Sequence, residues 1–280
     1  MKFSVLIAHY NNATYFKDCY ESLQKQTYTD WEAIIIDDCS SDAEKEMVKS
    51  IIANNSRFKF FENQVNKGVG YTKRRCIELA TGEICGFVDP DDAILPTAIE
   101  ETINVFNSKK DIVLTYSRLS ICDQNLKPLY PFKASSQVLN NDPLFFNYPI
   151  QIAHFVAFRR DTYMKTIKIN PELKIAEDQD LYYKLYEVGK VYFINKTNYL
   201  YRTHSGGISQ NNNKKKSREY YALVIWQAMQ RRNLKKINGI EIPETFSNAQ
   251  EIFNLLEYQN KISYRIKKKI LIILQKFSQQ

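Results

Sequence analysis

Glycine and proline are sparse, with eight of each in 280 residues. That scarcity excludes a collagen-like repeat and a linker-rich, low-complexity chain. Cysteine is limited too: Cys19, Cys39, Cys76, Cys85 and Cys122 are odd in number, far apart, and form no CxxC or Cys/His ligand spacing. Neither a disulfide framework nor a zinc site is indicated, and a reducing compartment is the expected setting. No run approaches the roughly 20 consecutive apolar residues that span a bilayer; the nearest is residues 270–274. Met1 leads into a short apolar segment without the long h-region and cleavage site of a secretory signal. The expectation is a cytoplasmic protein that does not cross the membrane.

Acidic residues are also in deficit, 31 against 39 Lys and Arg, for a net charge of +8. Such an excess suits nucleic acid, anionic lipid or a phosphorylated substrate, so its position decides. Much of it falls late, in Lys214-Lys215-Lys216, Arg231-Arg232, Lys235-Lys236 and residues 265–269, while the first hundred residues carry acidic pairs. A nucleic-acid binder would spread charge and exposed aromatics over the folded body. A catalytic body with a basic tail, and no nucleic-acid partner, is expected.

Apolar, β-branched runs at residues 3–8, 32–36, 58–61, 84–88 and 112–116 alternate with helical patterns at 15–26, 43–54, 70–80 and 96–108. This alternation predicts βαβ units: an α/β fold with a mostly parallel central sheet and helices on both faces. Ligands of such sheets bind beyond the carboxyl ends of the strands. Residues 123–147, punctuated by Pro128, Pro131 and Pro143, read as a long loop or lid. A strand at 155–158, a helix from Glu177 to Tyr186 and strands at 191–195 and 199–202 follow. Residues 205–216 read as a flexible linker, and residues 217–280 as helical. The division is then a βαβ half (1–117), a second half of the same domain (118–213) and a basic helical extension (214–280).

Asp89-Pro90-Asp91-Asp92 sets three carboxylates where a strand ends. Hard oxygen ligands so close together suit Mg²⁺ or Mn²⁺ with a bound diphosphate completing the shell. A bare acidic surface turn fits the same residues. Glu177-Asp178 is equally open on its own, because acidic residues, with Asp180 a third, are favoured at a helix N-terminus by the macrodipole.

The ordered set of motifs resembles the family two glycosyltransferases, which share the GT-A fold. It runs from Val5-Leu6-Ile7-Ala8-His9-Tyr10-Asn11 through Ser22-Leu23, Gln26-Thr27 and the segment Trp31-Glu32-Ala33-Ile34-Ile35-Ile36-Asp37-Asp38. Asn66-Lys67-Gly68, Ala80-Thr81-Gly82-Glu83, the Asp-x-Asp-Asp turn and Glu177-Asp178 complete it over residues 3–205. The resemblance implies a metal-dependent transferase that uses a nucleotide-sugar donor, with residues 1–117 as the nucleotide-sugar-binding half and 118–213 as the acceptor-binding half. It implies that Ala8, His9, Tyr10 and Asn11 line the base pocket, that Asp38 accepts from the nucleobase, and that Asp89 holds the ribose. Asp91, with Asp92 beside it, is the implied ligand of Mn²⁺ or Mg²⁺. Asn66, Lys67 and Gly68 belong to the same donor site. The chain departs from the family where Ala8-His9 replaces a usual Pro or Thr, and where Thr72-Lys73-Arg74 replaces Ala-Arg-Asn. Lys73 or Arg74 can still supply positive charge to the donor.

Sugar transfer needs a stabilised leaving phosphate and an activated acceptor hydroxyl. The resemblance makes Asp178 the base, with Glu177 orienting it or binding acceptor, and one base acting by direct displacement inverts the anomeric centre. Arg202 is a candidate phosphate partner and His204 a candidate Mn²⁺ ligand, a lone surface histidine being the alternative for the latter. His154 reads as a core or acceptor-pocket residue. The segment 262–274 joins a basic cluster to an apolar run; it lies in an anionic membrane interface near a lipid-linked saccharide acceptor, or packs on the body. A sugar-1-phosphate nucleotidyltransferase would show a Gly-rich basic loop after the first strand, where this chain has His9-Tyr10-Asn11-Asn12. A silent saccharide-binding relative would be expected to lack Asp91 or Asp178, and both are present.

Overall fold

A computed structural model describes residues 1–204 and 214–277. The chain begins β1 (Phe3–His9), α1 (Ala13–Gln24), β2 (Trp31–Asp37), α2 (Asp42–Ile52), β3 (Phe58–Glu62), α3 (Val69–Leu79), β4 (Ile84–Phe87), β5 (Ala93–Ile94) and α4 (Ala98–Ser108). Strands β3-β2-β1-β4 pair in parallel. Their apolar runs are continuous because both faces are covered. Alternation along a strand then divides the core. Val5, Ile7, Ala33 and Ile35 pack with Phe16, Leu23, Val48 and Ile103 of α1, α2 and α4. Leu6, Ile34 and Ile36 pack on the other side, with Cys76 and Ile77 of α3.

The second half contributes β6 (Ile112–Cys122), β7 (Pro128–Pro131), β8 (Ala157–Arg159), α5 (Arg160–Met164), α6 (Glu177–Tyr186) and β9 (Lys190–Arg202). Beyond β4 the order continues β8-β6-β9-β5, with β8 antiparallel to both β4 and β6, and β7 on the far part of β6. The expected strands 191–195 and 199–202 are one strand, because β6 continues past residue 116 and pairs with β9 along its length, through register shifts near Arg118. Within residues 123–147 only β7 is regular.

The final part comprises α7 (Lys214–Arg231), a hairpin of β10 (Lys236–Ile237) and β11 (Ile240–Glu241), α8 (Ala249–Leu256), a 3-10 turn (Glu257–Asn260) and α9 (Ile262–Phe277). Lys214 to Lys216 open α7 and are not linker; residues 205–213 lie outside the described residues. Ile225 and Met229 of α7 and Phe253 of α8 share a core with Phe146, Leu173 and Tyr183 of the body. The Tyr221 hydroxyl donates to the Asn147 carbonyl at 2.7 Å. Arg231 and Arg232 both pair with Glu187 just after α6.

Glu32 fastens the amino-terminal ends of the parallel strands. Its buried carboxylate accepts from Ser4 Oγ at 2.7 Å, from the amide and hydroxyl of Thr81 at 2.7 and 2.8 Å, and from Lys59 Nζ at 2.7 Å. Burial works against the charge, but Lys59 and the other donors outweigh it and hold the carboxyl well below its usual range. A depressed carboxylate contributes stability above its unfolded value and loses it as pH falls toward its folded value. Glu32→Gln is expected to cost about 1–3 kcal/mol at neutral pH, with the gap to wild type shrinking below about pH 4. Urea unfolding of both proteins across that range measures it.

Candidate active site

The carboxyl ends of β1, β2 and β4 lie side by side, so the loops that follow them form one cleft rim. His9 is buried and its Nδ1 lies 2.8 Å from Asp37 Oδ1. Asp37 Oδ2 accepts from the Ser40 amide at 2.8 Å. Burial opposes the Asp37 charge, yet His9 and Ser40 outweigh it and depress its titration. His9 therefore braces the rim from inside and does not form the pocket wall the resemblance assigns to it. Asn11, at φ +45°, accepts from the Ser41 amide, linking the two loops. Ala8 is half-buried; Tyr10 and Asn11 are exposed along the rim.

Asp38 organises the third loop. It accepts from Asn63 Nδ2 at 2.7 Å, from the Lys67 amide at 2.8 Å and from the Gly68 amide at 2.7 Å. Three of the roughly four acceptor positions of a carboxylate are thereby filled, so a nucleobase would share Asp38 with the loop. Gly68 sits at φ +87°, where a side chain is strained and where a Cβ would meet Lys174. Asn66 and Lys67 are exposed, and the Lys67 ammonium lies 5.9 Å from the Tyr71 ring centre. Asn63 was not anticipated; nothing in its sequence context distinguishes it from an ordinary loop asparagine.

The acidic turn is not three equivalent ligands. Asp92 is buried and accepts from the Tyr199 hydroxyl and the Arg202 amide, both at 2.7 Å. Burial, then Asp91 and Asp89, raise its carboxyl well above the usual value. Asp92 thus ties the turn to β9, and the expectation of a metal ligand is revised. Asp91 keeps an accessible carboxylate, with Oδ2 2.8 Å from His204 Nε2. The His204 ring packs on Tyr15 at 4.7 Å. Arg202, with a side chain only 1% exposed, binds Asp18 at 2.6 Å and the carbonyls of Asp91 and Gln124, and lies over Tyr15. A guanidinium so enclosed is a brace beneath the turn, which revises the phosphate contact expected of it. Tyr15 and Asp18 of α1 complete this brace and carried no motif signal.

Asp91 and His204 offer a carboxylate oxygen and an imidazole nitrogen side by side, a pair suited to a divalent ion whose other ligands come from phosphate and water. Among the described residues no three His, Cys, Asp or Glu side chains converge as a closed metal cage.

Lys73 joins the two halves. Its buried ammonium lies 2.7 Å from Glu177 Oε1 and 3.7 Å from Asp89 Oδ1. Burial works against this charge, but Glu177, Asp89 and Asp178 hold the amine protonated well above ordinary lysine. Asp89 in turn is lowered by Lys73 and His154 despite burial. Burial raises Glu177, and Asp178 adds to the rise against the opposing pull of Lys73. Arg74 turns away from this cluster to Glu78 at 3.1 Å and to the Ile169 carbonyl, which removes it from the donor site.

Asp178 and Glu177 open α6 directly after Ala176, whose φ of +64° is uncommon for a residue with a side chain. Asp178 is half-buried and faces a small enclosed pocket shared with Lys73, His154, Glu177 and Tyr182. Its Oδ1 accepts from the Gln179 amide at 2.8 Å, while Oδ2 has only a 3.3 Å contact with the Gln179 side chain. Asp180 is instead fully buried and bound to Lys184 at 2.6 Å and to the Asn170 amide, so it belongs to the core. His154 stacks on Tyr199 at 4.9 Å on the pocket wall.

This arrangement, a parallel half-sheet facing an acidic helix start across an Asp-x-Asp turn, is that of the GT-A fold. The chain belongs to glycosyl transferase family 2, whose model matches residues 4–166. It is 28% identical over 278 residues to the chondroitin synthase and to the hyaluronan synthase of Pasteurella multocida, matching 98% of this chain and 28% of either relative's length. The chain thus spans little more than a quarter of those synthases. The putative teichuronic acid biosynthesis glycosyltransferase TuaG of Bacillus subtilis is 24% identical over 74% of this chain and 81% of its own. Among solved structures, S. aureus TarS 1–349 in complex with UDP-GlcNAc superposes with a TM-score of 0.68 at 20% identity, covering 91% of this chain and 70% of that one.

Lys73→Met would leave Glu177 and Asp89 facing each other without a cation, and breaking such a buried pair is expected to cost about 3–5 kcal/mol. Lys73→Arg should recover most of that loss. Denaturant unfolding of the three proteins is the measurement.

Proposed function

We propose that the chain transfers a sugar from a nucleotide-diphosphate donor, by default a UDP-sugar, to a hydroxyl of a saccharide or lipid-linked saccharide, with inversion. A bacterial surface polysaccharide is the proposed product, in accord with relatives named for chondroitin, hyaluronan and teichuronic acid synthesis. The UDP-GlcNAc bound by TarS accords with the donor class. The observation that carries the reading is the shared pocket of Asp178, Glu177 and Lys73 next to Asp89.

In this reading Asp91 and His204 hold a Mn²⁺ or Mg²⁺ ion, which when bound supplies positive charge to the leaving diphosphate. Asp38, Asn66, Lys67 and Gly68 shape the base and ribose side of the donor site, and Asp89 takes the ribose. Asp178 takes the acceptor proton, since it is half-buried and, unlike Glu177, forms no ion pair among the described residues, its Oδ2 having only the 3.3 Å contact with Gln179. Glu177, engaged by Lys73, orients the pocket and is the poorer base.

Asp178→Asn keeps shape and much of the hydrogen bonding but cannot accept the proton. Product formation should fall by about 10²-fold or more, with UDP affinity and melting temperature near wild type and Glu177→Gln milder. Near-normal transfer by a well-folded Asp178→Asn protein removes the residue from the mechanism.

Metal-linked donor binding is tested by calorimetry with UDP, with and without Mn²⁺. Affinity should rise with the metal in the wild type and lose that dependence in Asp91→Ala; an unchanged metal effect in the variant sinks the assignment.

A further inference from the structure

Helix α9 is seated on the body by its polar side. Lys268 Nζ pairs with Asp142 at 2.8 Å and lies over the Phe145 ring. The Gln275 side chain exchanges hydrogen bonds with the Asn140 backbone, and Tyr264 packs edge-on against Tyr258. Positions 264, 268 and 275 fall on one helical face. The opposite face is apolar and outward: Ile262 is 75% exposed, Ile266 54%, Ile270 53%, Ile273 53% and Leu274 58%. The spacing of i, i+4, i+8, i+11 and i+12 makes them a single stripe. An open surface depression there is lined by Ile266, Ile270 and Leu271 with Ser263 and Lys267.

A helix that merely closed the core would be turned the other way, with its isoleucines inward. Singly exposed apolar residues need no explanation, but an aligned row does. Charge decides what covers it. The helix contains no acidic residue. At 100° per residue, exposed Lys267 falls on one flank of the stripe and exposed Arg265 and Lys269 on the other. Long basic side chains flanking an apolar stripe let the stripe enter the acyl boundary while the ammonium and guanidinium groups stay among anionic headgroups. No helix among the described residues is long and apolar enough to cross a membrane. The contact is therefore one of lying on the surface.

We infer that the outward face of α9 is an interfacial docking surface for an anionic lipid bilayer, with Ile262, Ile266, Ile270 and Ile273 inserted and Arg265, Lys267 and Lys269 at headgroup level. The inference deepens the proposed reading by naming the surface at which a lipid-linked acceptor is met, and its test needs neither donor nor acceptor. Since these residues point away from the body, changing them leaves the fold intact.

The full chain is floated with vesicles of phosphatidylcholine containing phosphatidylglycerol and, separately, of phosphatidylcholine alone. Wild type should bind the anionic vesicles, more weakly as salt is raised, and the neutral ones at least about tenfold less, in line with the contribution of several basic residues near an anionic surface. The Ile266→Ser/Ile270→Ser/Ile273→Ser protein should lose at least about tenfold in partitioning, with an unchanged melting temperature. Arg265→Gln/Lys269→Gln should lose the salt dependence. Wild type that stays with the soluble fraction overturns the inference, as does a triple serine protein that binds like wild type. A wild-type dimer that the serine changes dissociate, with no vesicle binding by either, overturns it in favour of contact with a second copy. UDP-sugar hydrolysis in detergent-free solution, read on the same preparations, reports on the catalytic reading independently.

Discussion

One buried ammonium group holds the two halves of the cleft in register. Lys73 stands on α3, in the parallel half, yet its nearest carboxylate is Glu177 at the start of α6, and Asp89 of the acidic turn is the next. Glu177 is buried and Asp89 half-buried, and a charge withdrawn from water is tolerated only with a partner. The cation therefore makes the approach of α6 to β4 possible. It also leaves Asp178 as the member of the acidic pair without an ion pair among the described residues.

A second arrangement fixes the turn itself. Asp92 is bound by Tyr199 and the Arg202 amide on β9, and the Arg202 guanidinium is enclosed by Asp18 and two carbonyls. The turn is thus clamped from the side away from the cleft. Of the three acids in the turn, Asp91 is the one that faces His204, with part of its carboxylate accessible. Adjacent acids are told apart by giving one of them a dry, hydrogen-bonded site and the other a wetter one.

The helical extension is neither a loose tail nor a separate unit in its packing. Helices α7 and α8 share apolar contacts with Tyr183 of α6, and Glu187 pairs with two arginines that close α7. Helix α6 is therefore held on one side by Lys73 and on the other by the extension. Only α9 departs from this pattern, turning its polar side inward.

Much of the parallel half was legible because local patterns suffice there. Strict alternation of apolar runs with helical periods specifies βαβ units, and the motif order pointed to the family before any contact was known. Lys73 was separable from Arg74 in principle: Lys73 shares the apolar stripe of Cys76, Ile77 and Ala80, whereas Arg74 stands four residues from Glu78. The different fates of Asp91 and Asp92 were not legible, because their distinction comes from Tyr199 and Arg202, more than a hundred residues away. Nor was the brace formed by Tyr15, Asp18 and Arg202, or the union of two short apolar runs into the single strand β9, which requires β6 as its template. By itself the sequence determined the α/β class, the family and the set of acidic groups at the strand ends, since those depend on residues near one another in the chain. Which acids are accessible, which cations are already paired, and which way α9 faces were decided by tertiary structure alone, because burial and charge pairing are set by neighbours that only folding brings together.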